Sequence, residues 1–437
     1  MNTSVTQGLA ERWAGEVRAV DFPLAPEWLQ QLRGQATGRF AADGLPHRKV
    51  EAWKYTPLKR LEALAPGLPA GNEPAGAAAV QAPLLENNVF TVDIVDGRVR
   101  KLPGDTPAGL TVLKFEDALK LYENRIRGLA EQVELSGPGH AFAALNTAYL
   151  HRSLVVHVEK NTDGGSLLVR WSAGSGEEKR FESFRLFVLL DDGARLELVE
   201  QHLGGGPAGA LNMMVQSQLG ENSRLDHVRV QTESEDTVLL TSTSVEQAAG
   251  SHYGYAGFDL GGGLVRHELY TKLGGNGATT DLSGACVLDG SRHGDTHISV
   301  DHAAPDCRSE QFFRGVLGGS SRGVFNGRAL IRKGADGSSV QQSNANLLLS
   351  PLAEIDTKPE LEIYADEVEA SHGATVGQLD ETAVFYLRSR GLSDAEARHM
   401  LTAAFCHAVS SRLKNRELAE KVGRLVDAAM PGRPGSG

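Results

Sequence analysis

Short apolar segments separated by glycine-rich turns fill the middle of the chain, from Ser166 to about Ala365. Apolar and polar positions alternate along these segments and helical spacing is almost absent, which predicts β-strands. Related turn sequences begin at Leu190, Leu219, Val245 and Leu273. Their spacings of 29, 26 and 28 residues are typical of one supersecondary unit repeated along a solenoid. Such a unit cannot bury its apolar face alone, so stacked units are expected, and a β-sandwich is the main alternative.

Helical spacing replaces the strand pattern at both ends of the chain. Near the N-terminus, two successive apolar stripes predict two helices that pack into a core. The first stripe is Leu9, Trp13, Val17 and Val20, and the second is Trp28, Leu29, Leu32, Ala36 and Phe40. Near the C-terminus, Ser393 and Glu396 form a capping box ahead of a wide apolar stripe. We expect the C-terminal helices to cap the end of the solenoid, and contact with a partner is the alternative.

These patterns divide the chain into three regions. They are an N-terminal helical region at 1–88, a β-helix core at 89–374 and a C-terminal helical region at 375–437. The first region contains a basic, aromatic connector at 44–61 and an Ala/Gly/Pro-rich linker at 65–83. The core begins with a hairpin around Asp96 and includes helical insertions near 115–150. The predicted fold class is mainly β, with helices at both ends.

The charge balance of the chain excludes several kinds of partner. Its 437 residues include 44 Lys and Arg against 55 Asp and Glu, a net charge of -11, which argues against binding to nucleic acids or anionic membranes. No window approaches the roughly 18 apolar residues that a membrane span requires, and no cationic segment followed by an apolar run opens the sequence. We therefore expect a cytoplasmic protein. Three scattered cysteines form neither a disulfide framework nor a Cys-x-x-Cys site.

The sequence signatures of a self-contained enzyme are missing. The chain has no phosphate-binding glycine loop, no Gly-x-Ser-x-Gly elbow and no His-Glu-x-x-His motif. The densest group of potential metal ligands runs from His293 to Cys307 and includes His297 and His302. Strand alternation puts His297 and His302 on opposite faces. We therefore predict hydrogen-bonded histidines here, and a metal site is the less favoured alternative.

A second histidine lies where the strand pattern gives way to helical spacing. His372 stands between Ser371 and Gly373, with a further glycine at Gly377. A titratable imidazole is therefore placed where the backbone is least restrained by side chains. The following glycine indicates the end of the β body or the close approach of another chain. A buried histidine with a satisfied hydrogen bond is the alternative.

Several longer segments form a recognisable pattern. They are Asp301–Gln311, Arg322–Arg328, Gln341–Leu349, Asp356–Asp366, Ser371–Gly377 and Phe385–Gly391, together with Arg48–Thr56 near the N-terminus. This pattern closely resembles the SufD family of the SUF iron–sulfur cluster assembly machinery, and it covers most of the chain. The resemblance implies a right-handed parallel β-helix between N-terminal and C-terminal helical regions, in a subunit that is not an enzyme.

The resemblance also implies partners. Members of this family work with the paralogous scaffold SufB and with the ATPase SufC, which would supply the nucleotide chemistry that this chain lacks. His372 would lie at the interface with SufB, as a candidate ligand for the iron or transient cluster assembled there, and the chain would need no cofactor of its own. The residues implied to bind SufC are Phe385, Tyr386, Leu387 and Arg388. A homodimer is the alternative assembly when the chain is alone.

One residue departs from the family pattern, and two other identities remain open. Many members have a cysteine two residues before the motif histidine, whereas this chain has Ala370, so no thiol is present there to bind iron or sulfide. A SufB-like scaffold is the nearest alternative, although His372 and the segment Trp53–Thr56 favour SufD. A carbohydrate-active β-helix enzyme is the alternative from another class. The absent signal peptide and the aromatic content of 6% argue against it.

Overall fold

The computed structural model describes residues 3–20, 25–69, 82–173, 179–203 and 209–431. The α-helices in this part of the chain are α1 (Thr3–Ala19), α2 (Glu27–Asp43), α3 (Lys59–Leu64), α4 (Phe115–Glu131), α5 (Ala141–Ala148), α6 (Glu381–Ser389), α7 (Asp394–Ser410) and α8 (Arg416–Ala429). The first strands are β1 (Val89–Val95), β2 (Arg98–Lys101), β3 (Leu110–Lys114), β4 (Ser153–Val158), β5 (Asp163–Ser172), β6 (Phe181–Leu190), β7 (Arg195–Leu203), β8 (Ala210–Leu219) and β9 (Arg224–Gln231). The remaining strands are β10 (Val238–Gln247), β11 (His252–Asp259), β12 (Leu264–Leu273), β13 (Thr279–Leu288), β14 (His293–His302), β15 (Arg308–Leu317), β16 (Arg322–Ile331), β17 (Ser339–Leu348), β18 (Glu354–Ile363) and β19 (Glu369–Gly377).

The strands alternate between two sheets, so each turn of the chain adds one strand to each sheet. One sheet has ten strands in the order β19-β17-β15-β13-β11-β9-β7-β5-β1-β2, and the other has nine in the order β18-β16-β14-β12-β10-β8-β6-β4-β3. Pairing is parallel throughout except where β2 joins β1 and β3 joins β4. Apolar side chains fill the space between the sheets. The predicted mainly β solenoid with helices at both ends is confirmed.

The repeated turns mark successive turns of this solenoid. The turn sequences at Leu190, Leu219, Val245 and Leu273 lie at or near the ends of β6, β8, β10 and β12, all in the nine-stranded sheet. Gly193 and Gly250 adopt positive φ angles of 69° and 64°. A Cβ atom at either glycine would collide with an asparagine of the preceding turn, Asn161 or Asn222. The stacking of the turns therefore requires glycine at these positions.

The N-terminal helices bury the two predicted stripes. Trp13 and Val17 of α1 and Leu29, Ala36 and Phe40 of α2 are all buried. The stripe of α1 and part of that of α2 share a core with the α5 segment and with the first residues of β6, β8, β10 and β12 in the nine-stranded sheet. The predicted hairpin is confirmed by the antiparallel pairing of β1 with β2. Of the predicted linker at 65–83, residues 70–81 lie outside the described part of the chain.

The aromatic connector is packed against the solenoid, as expected. Trp53 is buried, and the guanidinium of Arg266 lies 4.0 Å from the centre of its ring. Thr56 donates a hydrogen bond of 2.5 Å to Asp295 on β14. This segment therefore attaches the N-terminal helices to the outer face of the nine-stranded sheet.

The prediction that the C-terminal helices cap the solenoid is wrong. Cys406 and Val409 of α7 and Leu418 and Val422 of α8 share an apolar cluster with outward-facing residues of the ten-stranded sheet. Those sheet residues include Leu168, Val199, Val228, Ala285, Val287 and Val316. The helices thus lie along the side of the solenoid, because that outer face carries an apolar stripe that they cover.

The β body also extends past Ala365, where the strand pattern ended. β19 adds one more strand, and His372 lies within it instead of at the join between strand and helix. All nine residues of β19 are exposed, so no apolar alternation signals the strand in the sequence. No helix in the described part of the chain is long and apolar enough to cross a membrane.

Candidate functional site at the open end of the solenoid

The two last strands of the solenoid leave their outer edges unpaired. Among the described residues, β18 pairs only with β16 and β19 pairs only with β17. The strands are ten and nine residues long. Large apolar side chains are exposed at this end, including Tyr364 at 63% and Val376 at 48%. We call this surface, formed by β18 and β19, the open end.

His372 lies at the mouth of the space between the two sheets. It is in register with Gln342 on β17, which is in register with Gln311 on β15. Gln342 points into the interior, because its Nε2 donates a 3.2 Å hydrogen bond to the carbonyl oxygen of Gly327 on the opposite sheet. In-register residues of parallel strands share a face, so His372 lies on the inner face of β19 with an exposed side chain.

Polar side chains line the interior just behind this mouth. Thr357 on β18 donates a 2.9 Å hydrogen bond to Asn344 Oδ1 on β17, which connects the two sheets. Asn346 Nδ2 donates to the same oxygen at 2.6 Å. Asn344 and Asn346 are both buried. A layer of buried amide side chains therefore lies directly beneath the open end.

This end does not contain a complete metal site. No group of three or more His, Cys, Asp or Glu side chains that could hold a metal ion occurs in the described residues. Ala370, two residues before His372, lies on the same face of β19 and is in register with Val340. Cys406 lies on the buried face of α7, and burial raises the pKa of its thiol to about 12. Iron bound at His372 would therefore need further ligands from another chain.

The histidines between 293 and 307 are hydrogen-bonded, as predicted. His293 Nε2 lies 3.2 Å from Thr56 Oγ1, and His302 Nε2 lies 2.8 Å from Ser309 Oγ. Burial lowers the pKa of each of these two histidines to about 4. His297 Nε2 lies 2.9 Å from Asp295 Oδ1. These contacts indicate a structural role for the histidines of this segment.

A buried polar network in the solenoid interior was not anticipated from the sequence. His227 Nε2 lies 2.8 Å from Glu200 Oε1, and Arg229 NH2 donates to Asp259 Oδ1 at 2.8 Å. Burial raises the pKa of Tyr255, whose hydroxyl accepts from Arg229, to about 12. The available signal was the recurrence of polar residues at the same strand position in successive repeats, since in-register positions stack.

Helix α6 carries a second exposed surface. Phe385 and Tyr386 are 70% and 56% exposed, Leu387 is half-buried, and Arg388 lies 3.4 Å from Asp394 in an ion pair. Val384 is the fully buried residue of the helix. Residues 378–380 connect β19 directly to α6. A cleft of about 770 Å³ separates α6 and α7 from the turns of the solenoid.

Fold and site together define a β-solenoid protein with helices at both termini, whose last two strands each have one unpaired edge among the described residues. Comparison with known proteins agrees with this description. Residues 172–405 match the family model described as SUF system FeS cluster assembly, SufBD core domain. This chain therefore belongs to the SufBD family of iron–sulfur cluster assembly proteins.

Individual relatives match almost the whole chain. An iron–sulfur cluster assembly SufBD family protein of Synechocystis sp. is 30% identical over 87% of this chain and 86% of its own length. The iron–sulfur cluster assembly protein SufD of Escherichia coli is 29% identical over 94% of this chain and 93% of its own. A SufBD family protein of Mycobacterium tuberculosis is 26% identical over 94% and 96%. Membership in this family argues against the carbohydrate-active enzyme considered above.

Proposed function

We propose that this chain is the SufD-type subunit of a cytoplasmic SUF complex. In this proposal it is a non-enzymatic scaffold that pairs with SufB at the open end and is coupled to the SufC ATPase through α6. The similarity to E. coli SufD along 94% of the chain supports the assignment to SufD. The SufB-like identity remains the alternative, since the family model covers both paralogues.

The observation that carries the proposal is the unpaired edge of β19. A long, uncovered edge strand presents a row of free backbone donors and acceptors, which is a template for pairing with another chain. Glu369 N donates to Ser338 O, and parallel ladders alternate, so the amides of even-numbered residues of β19 face the free edge. A second β-solenoid with a similar end would satisfy them and cover the exposed apolar side chains.

His372 gives this interface its chemical role in the proposal. A neutral imidazole is a ligand for iron and an acceptor for protons. Because the described residues of this chain provide no three-ligand group, the nascent cluster would be a transient cargo shared with SufB. The missing thiol at Ala370 leaves His372 as the ligand that this strand contributes.

The connection between α6 and β19 provides a route for coupling to ATP hydrolysis. Only residues 378–380 separate the surface assigned to SufC from the strand that carries His372. A displacement of α6 into the adjacent cleft would pull on the end of β19, whose ladder pairing among the described residues is with β17 alone. ATP-driven movement of SufC would in this way open the SufB interface to iron and sulfide.

Native mass spectrometry of this chain co-expressed with SufB and SufC of the same genome tests the proposal. A complex of one copy of this chain, one SufB and two SufC is expected. If the chain instead combines with SufC and the genome's other SufD-like chain, the SufB-like identity is correct. A chain that stays alone in the presence of both partners would contradict the scaffold function.

A further inference from the structure

A column of polar side chains leads from His372 into the solenoid. His372, Gln342 and Gln311 occupy the same register on successive strands of the ten-stranded sheet, and neighbouring strands lie about 4.8 Å apart. The next residue of the column, Leu282, belongs to the apolar core. The polar part of the column is therefore three residues deep and ends at the open surface.

Gln342 has a buried acceptor that no described residue satisfies. Its side chain is 5% exposed, and its Nε2 donates to Gly327 O across the interior, which fixes the orientation of the amide. Its Oε1 is buried and has no hydrogen-bond partner among the described residues. A buried acceptor without a partner is unfavourable. The nearest in-register side chain that carries an N–H group on the open side is His372.

We propose that Gln342 is a positioning residue for His372. In this arrangement the exposed ring of His372 turns toward the interior and donates the N–H of one ring nitrogen to Gln342 Oε1, which leaves the other nitrogen unprotonated and directed out of the solenoid. The hydrogen bond made by one nitrogen of a histidine determines the protonation of the other. The consequence for assembly rests on the proposed function, because an unprotonated outward nitrogen is what an iron ligand or proton acceptor requires.

Gln311 lies on the side of Gln342 that faces away from His372, and it supports the same arrangement. It is 1% exposed, and its Nε2 is also buried without a partner among the described residues. A carbonyl oxygen has two lone pairs, so Gln342 Oε1 has room for a second donor, and Gln311 Nε2 is the in-register group on its inner side. A bond between these two atoms would join the three side chains in one hydrogen-bonded ladder, which Leu282 terminates.

The test is the tautomer of His372, read from ring ¹³C and ¹⁵N chemical shifts in the full chain with labelled histidine. The His372→Ala spectrum assigns the signal. In the native chain one neutral tautomer is expected to dominate, and Gln342→Met is expected to lower the tautomer ratio by roughly threefold to tenfold. Gln341→Met is the matched control, because Gln341 is the exposed neighbour on the opposite face of β17. Gln342→Glu retains an acceptor and is expected to retain the tautomer preference.

The outcomes separate this inference from the proposed function. An unchanged tautomer ratio in Gln342→Met overturns the positioning role, even if His372→Ala abolishes cluster assembly. A changed ratio combined with normal assembly by His372→Ala supports the positioning role and rejects the function proposed for His372. If Gln342→Met fails to fold, Gln342→Glu decides, since loss of the tautomer preference there contradicts an acceptor role.

Discussion

The two ends of the solenoid are built differently. At the N-terminal end the outermost strands are β2 and β3, which are short, antiparallel to their neighbours and four and five residues long. β2 reads Arg98-Val-Arg-Lys101, and charged residues on a short edge strand discourage further pairing. At the C-terminal end, β18 and β19 are twice as long and parallel, and within β19 Glu369 is the one charged residue apart from the titratable His372.

This difference favours the C-terminal end as the interface of the proposed complex. Natural proteins protect edge strands that must not pair by shortening, charging or covering them. At the N-terminal end, α4 packs against β4 and β6 of the first turns. The N-terminal helices pack against β6 to β12, and α7 and α8 lie along the side of the solenoid without covering the last turn. The open end is therefore the part of this fold in which an unmet pairing capacity coincides with a candidate ligand.

The largest expected effect comes from blocking the free edge. Ala374→Pro removes an amide that faces away from β17, so it should leave the internal ladder intact while weakening SufB binding by roughly tenfold to a hundredfold. Isothermal titration calorimetry or native mass spectrometry measures the loss of SufB affinity. Arg100→Pro, at the bulge residue of β2, is the control at the N-terminal end of the solenoid and should leave SufB binding unchanged. Equal effects of the two substitutions would contradict the distinction between the ends.

The second-largest expected effect is on the yield of iron–sulfur clusters at the open end. His372→Ala should lower cluster yield at least about tenfold, because it removes the ligand that β19 contributes, while the complex still forms. Anaerobic reconstitution followed by absorbance and iron analysis measures the yield. His140→Ala, at an exposed histidine far along the chain from the open end, is the control. Normal yield from His372→Ala in an intact complex would remove the histidine from the mechanism.

Acid should destabilise the body between the two ends. Burial lowers the pKa of His302 to about 4, whereas an unfolded histidine has a pKa of about 6.5. Between these values the unfolded chain binds a proton that the folded chain does not, so this contribution is present above pH 6.5 and is lost as the pH falls toward 4. The free energy of unfolding should fall by about 2 kcal/mol from pH 7 to pH 5 through this group.

Urea unfolding at these two pH values measures the difference. His302→Gln should reduce the pH dependence by about 2 kcal/mol, whereas substitution of the exposed His140 by glutamine should preserve it. His293, whose pKa burial also lowers to about 4, contributes a separate part of the dependence. An undiminished pH dependence in His302→Gln would contradict the contribution of His302.

A smaller effect is expected on the surface assigned to SufC. Phe385→Ala removes an aromatic side chain that is 70% exposed, and loss of such an anchor weakens binding by roughly fivefold to tenfold. Leu121→Ala, at a 66% exposed residue of α4, is the matched control near the N-terminal end of the solenoid. Pull-down of SufC and surface plasmon resonance measure the affinity. If both substitutions weaken SufC equally, α6 is not its specific contact.

The smallest expected effect is a gain in the iron that the complex retains. Ala370→Cys would place a thiol on the inner face of β19, two residues from His372, and should raise iron retained by the complex by roughly twofold to threefold, since thiolate is a favoured ligand for iron. Iron analysis after gel filtration measures it, with Ala370→Ser as the control. No gain from the cysteine variant would show that His372 and the ligands of SufB already suffice.

Sequence patterns predicted much of this fold, and each miss has a physical reason. The buried stripes of α1 and α2, the hairpin at Asp96 and the repeated turns were all found, since burial imposes periodicity on the chain. β19 was not delimited, because an edge strand exposed along its whole length is under no pressure to alternate. The buried Glu200–His227 pair also went unnoticed, because the hydrophobic pattern of a sequence does not distinguish a buried polar residue from an exposed one.

The sequence by itself determined the solenoid class, the helical regions and the absence of an enzyme signature, and its motif made His372 a candidate site residue. Only the tertiary structure decided that α7 and α8 cover the side of the solenoid, that the C-terminal end is open, and that His372 stands above Gln342 and Gln311. The reason is physical. Periodicity records whether a residue is buried, whereas strand register and the choice of which face or edge is covered depend on residues far apart in the chain.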